Sequence, residues 1–400
     1  MAKKLKIDWL MFAVTAALAL FGAVMVYSSS AMISMIESDG ATQFSFFYKQ
    51  FFATMLGLAV MYLASKIHYK WYQHPYFVAG FIALTVILLV AVFFFPPING
   101  AQRWIRLPGV SFQPSEFAKI ALPVFLAYFL TKKEKVVGDL RETLVPCSIV
   151  FGVVAGLVFF EPDLGTVIVL CAVFVAVYFA AGARILHLVS VSGVLFFIGT
   201  LALVLAPWRL RRLAAFLDPC SEANRENAGY QVCQSLTGIG SGGIFGEGFA
   251  LGQQKMGFLP YPYSDFIFAI VGEELGLIGT LAVVGAFGFL LWRGTRAALL
   301  APDRFGMLLG MGLITGITVQ ALFNISVVIS ILPAKGIPLP FISYGGSSII
   351  VTMFAVGILL NLSQHSGFIS FEKGLHTTRT PRKKRKKKRA VKKGRKGTLR

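Results

Sequence analysis

The chain of 400 residues is 56% hydrophobic and only 14% charged, against roughly half and a quarter in soluble domains, which excludes a soluble globular fold. The formal net charge is +20, yet residues 371–400 hold fifteen Lys and Arg against the single acid Glu372, so that stretch alone supplies +14. The remainder is only modestly basic, and the short alternating segments of a membrane β-barrel are missing.

Apolar runs of about 16 to 28 residues are long enough to cross a bilayer core of roughly 30 Å. Ten of them predict an all-α polytopic membrane protein, with spans at Ile7–Tyr27, Phe46–Ala64, Pro75–Phe95, Ser115–Leu130, Leu144–Phe160, Leu164–Ala181, Ile185–Pro207, Phe266–Leu291, Phe305–Leu332 and Ser347–Leu362. The N-terminus lacks a small-residue cleavage site after its apolar run, so it reads as a first membrane helix and not a removed signal peptide. Lys3, Lys4 and Lys6 precede the first span. Lys66 and Lys70, then Lys132, Lys133 and Lys135, then Arg184, then Arg293, Arg296 and Arg304 fill every second loop. The positive-inside bias therefore puts both termini in the cytoplasm. Arg209, Arg211 and Arg212 fall on the outer face against that bias, and an anionic ligand is one reason for them to be there. A large outer segment spans 207–265, inside a membrane domain of residues 1–365. Residues 366–400 form a basic cytoplasmic tail, read first as solvated and disordered, second as attracted to anionic lipid headgroups, and last as binding nucleic acid, which is not an expected partner.

The unusual residues collect on the outer side. Arg103 and Trp104 suit a phosphate and a sugar face respectively, although such a pair is also an ordinary interfacial anchor. Glu116 and Lys119 lie three apart on one helical face and are expected to pair, either to neutralise each other or to line a substrate path. Glu161-Pro162-Asp163 reads as a tight turn in which Asp163 caps the next helix, with a secondary role in lining the site. Residues 332–348 hold three prolines and three glycines, an irregular backbone tolerated at membrane depth only where it is buried or lines a polar cavity. Asp265 lies in the stretch Gly229–Gly276, at the start of the eighth span and under a glycine-rich loop. There, partial desolvation would raise its pKa toward that of a useful general base; its bland alternative is an N-cap. Glu273 and Glu274, two turns deeper, read first as packing or gating residues. Cys147 and Cys171 lie in apolar runs as small hydrophobes. Cys220 and Cys233 fall in the outer segment, where a disulfide is open to them. No metal-ligand spacing occurs.

GAQRW with FQPSEFAK, EPDLGT, RLAAFLDP, GYQ with QS and GSGGIFGEG, QQK with FLP and SDFIFAIVGEELG, and LPAKGIPLPFISYGGSS occur in this order. Together they resemble the SEDS family of cell-wall glycosyltransferases, and the likeness extends to about Leu362. Of its two branches, MVYSSSA and the Lys335-Gly336 pair are more similar to the cell-division branch, FtsW, than to the elongation branch, RodA. The resemblance implies a peptidoglycan glycosyltransferase that polymerises lipid II on the outer face of the cytoplasmic membrane. It implies Asp265 as the catalytic acid and places Arg103, Trp104, Glu116 and Lys119 on the family's cavity motif. A class B penicillin-binding protein, a transpeptidase, is the implied partner, with other division proteins at the septum. The family commonly has Glu, any residue, His and Thr or Ser before that acid; this chain has Tyr261, Pro262, Tyr263 and Ser264. Its segment Cys220–Asn227 also exceeds the family's usual link from DP to GYQ.

An inverting displacement of a polyprenyl diphosphate needs one base and positive charge on the leaving group. Asp265 is the expected base. Arg103, Lys119, Arg212, Lys255 and Lys335 are the candidate cations, with Asp163 and Tyr344 as further substrate-binding candidates. A divalent cation could assist the diphosphate, but no ligand set identifies one. Other readings are a lipid II flippase, for which no inverted repeat is seen, the elongation enzyme, and an inactive scaffold.

Overall fold

The computed structural model describes residues 6–97, 100–107, 110–204 and 207–365; Lys3, Lys4 and the tail 366–400 lie outside the described residues. Ten helices stand where the ten apolar runs were found: α1 (Trp9–Glu37), α2 (Ser45–Lys66), α3 (Pro75–Ala91), α4 (Pro114–Lys132), α5 (Val145–Phe160), α6 (Leu164–Ala180), α7 (Ile185–Val204), α10 (Ile267–Leu299), α11 (Arg304–Val328) and α12 (Gly346–His365). Two shorter helices, α8 (Pro207–Leu217) and α9 (Tyr230–Gly242), occupy the segment between α7 and α10. Residues Ile105–Leu107 (β1) and Val110–Phe112 (β2) pair antiparallel just before α4. Among the described residues, α1, α2, α3 with the turn that continues it to Phe94, α5 with the turn that precedes it from Leu140, α10, α11 and α12 are long and apolar enough to cross a membrane by length and composition. The helices α6 and α7 are apolar but yield shorter stretches, and α4 carries Glu116 and Lys119 in its first two turns.

The most enclosed helix is α11, whose buried Gly306, Gly310, Gly312 and Gly316 let neighbours approach closely. Helices α4, α6, α10 and α12 pack around it, and α2 lies along α12. Close packing of small residues is the usual adhesive between membrane helices, because lipid provides no hydrophobic drive between them. At the Arg-rich end the guanidinium of Arg293 forks onto Asp8, with Nε to Oδ2 at 2.8 Å and Nη2 to Oδ1 at 2.6 Å. Asp8 also caps α1 by accepting from the Met11 amide. The fork ties the start of α1 to the end of α10. Between α7 and α10 Cys220 and Cys233 are joined as a disulfide, which fastens the stretch after α8 to α9; Cys147 is buried and Cys171 half-buried, both as thiols.

Two helices differ from their sequence-based bounds. The polar run after Tyr27 does not end α1, which continues to Glu37. Ser29 and Ser30 donate back to the carbonyls of Met25 and Val26 at 2.7 and 2.6 Å, and Ser28 donates to Glu274 on α10. The serines thus satisfy themselves inside a helix. The second difference is in α10, which is broken at Gly276 (φ 64°, ψ −159°), a conformation essentially reserved for glycine. The glycine-rich strand 243–248 enters the gap. Its Glu247 and Gly248 amides donate to the carbonyls of Glu273 and Glu274, and the Leu277 and Ile278 amides donate to the carbonyls of Gly243 and Ile244. Backbone groups freed by the break are thereby re-paired, as an interior without water demands.

Placing a methyl group at Gly276 would bring Cβ to 2.4 Å from the Gly246 nitrogen. Gly276→Ala is therefore expected to cost about 1–3 kcal/mol for backbone conformation alone, read as a clear drop in the melting temperature of the detergent-solubilised protein. An unchanged melting temperature would contradict this account of the splice.

Candidate active site

Asp265 lies immediately before α10, partly exposed. Its main chain is fixed from two directions. Asn324 Nδ2 on α11 donates to the Asp265 carbonyl and to the Ile337 carbonyl, both at 2.7 Å. Ser343 Oγ donates to the Ser264 carbonyl at 2.6 Å, and the Tyr344 amide donates to the Tyr263 carbonyl at 2.9 Å. The connector between α11 and α12 thus lies against the strand that delivers Asp265. It is a buried structure, with Ile337, Leu339, Phe341 and Ile342 all in the core. Gln50 of α2 braces it further by donating to the Ser343 carbonyl and accepting from the Gly345 amide. Gly336 of the same connector comes so close that a Cβ there would stand 2.6 Å from Asp265 Oδ2.

The side chain of Asp265 is not tied down. Among the described residues no hydrogen bond or ion pair reaches its carboxylate, whereas its neighbour Asp163 is fully engaged. Asp163 accepts from Gln113 Nε2 at 2.9 Å, from Thr166 Oγ1 at 2.8 Å, from Ser115 Oγ at 3.4 Å, and from the Thr166 amide as the cap of α6. Burial pushes Asp265 up to about 6; the charge of Arg103 opposes that rise and the charge of Asp163 adds to it. A carboxylate with free lone pairs and a raised pKa is equipped to accept a proton near neutrality.

Arg103 completes the cluster. It stands just before β1, and its guanidinium is held by the turn between α5 and α6: Nε donates to the Glu161 carbonyl at 3.1 Å and Nη2 to the Pro162 carbonyl. Among the described residues no carboxylate lies within ion-pair distance of it. The charge is positioned by neutral carbonyls and left open to an anion. Trp104 follows, half-buried.

Glu116 and Lys119 pair at 2.7 Å, as their spacing on α4 implies. Lys119 also donates to Gln320 Oε1 at 2.6 Å, and Gln320 Nε2 donates to the Pro338 carbonyl of the connector. The pair thus joins the support of the connector, one turn of α11 below Asn324. Lys335, half-buried, is the residue before Gly336. Tyr344 packs its ring on Phe46 (5.1 Å between centroids) and Tyr263 (5.7 Å). Lys255 is differently employed: it is only 6% exposed and binds Glu274 Oε1 at 2.6 Å and Ser28 Oγ at 2.9 Å. That makes it an internal ion pair between the outer segment, α10 and α1, not an open cation. Glu273 beside it accepts from the Gln253 and Gln254 amides, so both glutamates fasten the glycine-rich stretch, in keeping with the packing role expected of them. Arg212 belongs to α8, and its side chain lies outside the described residues. Among the described residues no group of three or more His, Cys, Asp or Glu is arranged to hold a metal ion. Gln320, Asn324, Gln113 and Ser343 were missed from sequence. Two amides four apart in the otherwise apolar GITVQALFNISVV were the available signal, since polar groups inside membrane helices are costly and face the interior.

The family described as "Cell cycle protein" (FTSW_RODA_SPOVE) matches residues 8–367. This chain belongs to that family. A "Probable peptidoglycan glycosyltransferase FtsW" of Geobacter metallireducens is 40% identical over 362 residues, covering 89% of this chain and 94% of that protein. "Stage V sporulation protein E" of Bacillus subtilis is 39% identical over 371 residues, covering 92% and 99%. Among solved structures, one described as "Structural coordination of polymerization and crosslinking by a peptidoglycan synthase complex" superposes with a TM-score of 0.73 at 26% identity, over 90% of this chain and 98% of that chain. Thermus thermophilus "Rod shape determining protein RodA" superposes with a TM-score of 0.65 at 26% identity, over 90% and 97%. The FtsW/RodA/SpoVE fold therefore extends over nearly the whole described chain, from α1 to α12.

Gly336→Ala pushes a methyl group onto the Asp265 carboxylate. Displacing a reacting group by about 1 Å costs on the order of 100-fold, so if Asp265 is that group the activity of the protein is expected to fall by that order while the melting temperature changes little. Turnover within twofold of the parent protein would contradict the close approach.

Proposed function

We propose that this FtsW/RodA/SpoVE member is a peptidoglycan glycosyltransferase that joins lipid II units into glycan strands at the outer face of the cytoplasmic membrane. The observation that carries the reading is a partly exposed carboxylate that is unengaged among the described residues, beside an arginine whose charge none of their carboxylates takes. In the proposed displacement the acceptor sugar's 4-hydroxyl attacks the donor's anomeric carbon. Asp265 accepts the hydroxyl proton, the new C1–O4 bond forms, and the bond from C1 to the diphosphate breaks with its electron pair leaving on the polyprenyl diphosphate. Arg103 compensates the leaving charge, and Lys335, beside Gly336, is the second cation. A diphosphate is a competent leaving group, so no acid is required on that side. General base catalysis is typically worth about 100- to 10,000-fold.

We place all ten helices across the bilayer, with both termini in the cytoplasm and 207–265 outside. The Cys220–Cys233 disulfide agrees with an extracytoplasmic position for that segment. The similarity to FtsW relatives supports a role at the division septum, and the peptidoglycan synthase complex among the structural neighbours supports a class B penicillin-binding protein as partner. A lipid II flippase would need groups that bind substrate from both faces in turn. Here the open cation and the open carboxylate lie together at one end of the bundle, which favours the enzyme.

The test is polymerisation of lipid II by purified protein in detergent, where no two sides exist. Asp265→Asn is expected to stay folded and lose at least about 100-fold in rate. Because the base must be ionised, and burial raises Asp265 to about 6, the parent rate should fall as pH drops through about 6 and level off above it. Parent-like polymerisation by Asp265→Asn refutes the assignment, and so does the absence of any polymer from the parent protein.

A further inference from the structure

Glu161 has no task in the displacement, and unlike Asp163 and the Glu116–Lys119 pair its side chain is not engaged among the described residues. It ends α5, its accessible surface is 0%, and neither Oε1 nor Oε2 has a hydrogen-bond partner among the described residues. An ionised carboxylate buried without a donor costs far more than a protonated one, and proteins resolve the conflict by keeping the proton. Its surroundings support the uncharged form. Asp163 in the same turn brings a negative charge that is already stabilised by four hydrogen bonds, and Arg103 brings the opposing positive one. Helix α3, packed along α5, has no charged side chain, and α4 brings Glu116 and Lys119, which neutralise each other. Burial, with Asp163 adding to it, pushes Glu161 up to about 9 against the pull of Arg103.

The main chain of the same residue does something else. The Glu161 carbonyl accepts from Arg103 Nε, and the next carbonyl, Pro162, accepts from Nη2. Glu161 therefore helps to fix the guanidinium through a neutral dipole, while among the described residues its own acid forms no ion pair with it. We propose that Glu161 is a positioning residue that works as an uncharged carboxylic acid: it aims Arg103 through its backbone and withholds a negative charge, so that the cation stays available to an anionic diphosphate. The inference rests on the reading of Arg103 as the cation of the donor site. When Glu161 loses its proton, the new carboxylate competes for Arg103, and the diphosphate is held less tightly. Chemistry at Asp265 is untouched by that event, so the effect belongs in KM and not in kcat.

The experiment is the pH dependence of KM and kcat for lipid II between pH 7 and 10, with the full-length protein and its Glu161→Gln variant. In the parent, KM should rise roughly tenfold per pH unit above about 9 while kcat holds, as expected when one ionisation blocks binding. Glu161→Gln keeps the size of the side chain but cannot ionise, and its KM should stay flat over the same range. The proposal is overturned if the variant shows the same alkaline rise, if it has no measurable turnover, or if the parent's alkaline loss lies in kcat. These outcomes are separable from failure of the proposed function. A parent protein that makes glycan refutes only the role of Glu161 when the two KM profiles coincide, whereas a parent that makes none refutes the reaction itself.

Discussion

Asn324 Nδ2 donates to two main-chain carbonyls, Asp265 and Ile337, at 2.7 Å each. The amide sits on α11, the most enclosed helix, so one buried side chain sets both the start of α10 and the connector that faces it. Each such bond contributes only about 1 kcal/mol net, but a buried carbonyl left without a donor costs about 1–3 kcal/mol. The consequence is positional. One turn earlier, Gln320 repeats the device between Lys119 and Pro338, so a polar ladder runs from the Glu116–Lys119 pair up to the main chain of Asp265. An irregular backbone at this depth can persist because side-chain amides supply the donors that water would supply elsewhere.

With the backbone fixed, the carboxylates of the site separate by what surrounds them. Asp163 is saturated with donors and acts as a cap and an organiser. Asp265 is held only through its main chain, leaving its oxygens free for a proton. Glu161 is enclosed with no donor among the described residues. Three acids near one arginine thus take three roles, and environment, not residue type, assigns them. Arg103 can serve all of this because neutral carbonyls hold it.

The helices were legible in the sequence because apolar length alone specifies them in a bilayer. Helix ends were less legible. Ser28, Ser29 and Ser30 read as the close of α1, yet their hydroxyls bond within the bundle and the helix runs on to Glu37. The break in α10 was hidden for a related reason: Gly276 is one glycine among 40, and only the approach of strand 243–248 gives it meaning. Asp265, Arg103 and Asp163 could be picked out as charges at one end of an apolar bundle, and the structure brings them together. Lys255 met the same criterion and is otherwise engaged, because its partner Glu274 and the hydroxyl of Ser28 come from distant parts of the chain. Asn324 and Gln320 passed as span interior, since hydropathy averages two amides away.

In the proposed reaction Arg103 offers its charge to the substrate close to where Asp265 accepts a proton. The most direct measurement is equilibrium binding of lipid II to Asp265→Asn protein, which cannot turn substrate over, beside the Asp265→Asn/Arg103→Gln double variant. Loss of one charge-assisted contact worth about 1.5–3 kcal/mol predicts roughly 10- to 100-fold weaker binding by the double variant. Equal affinities would contradict it.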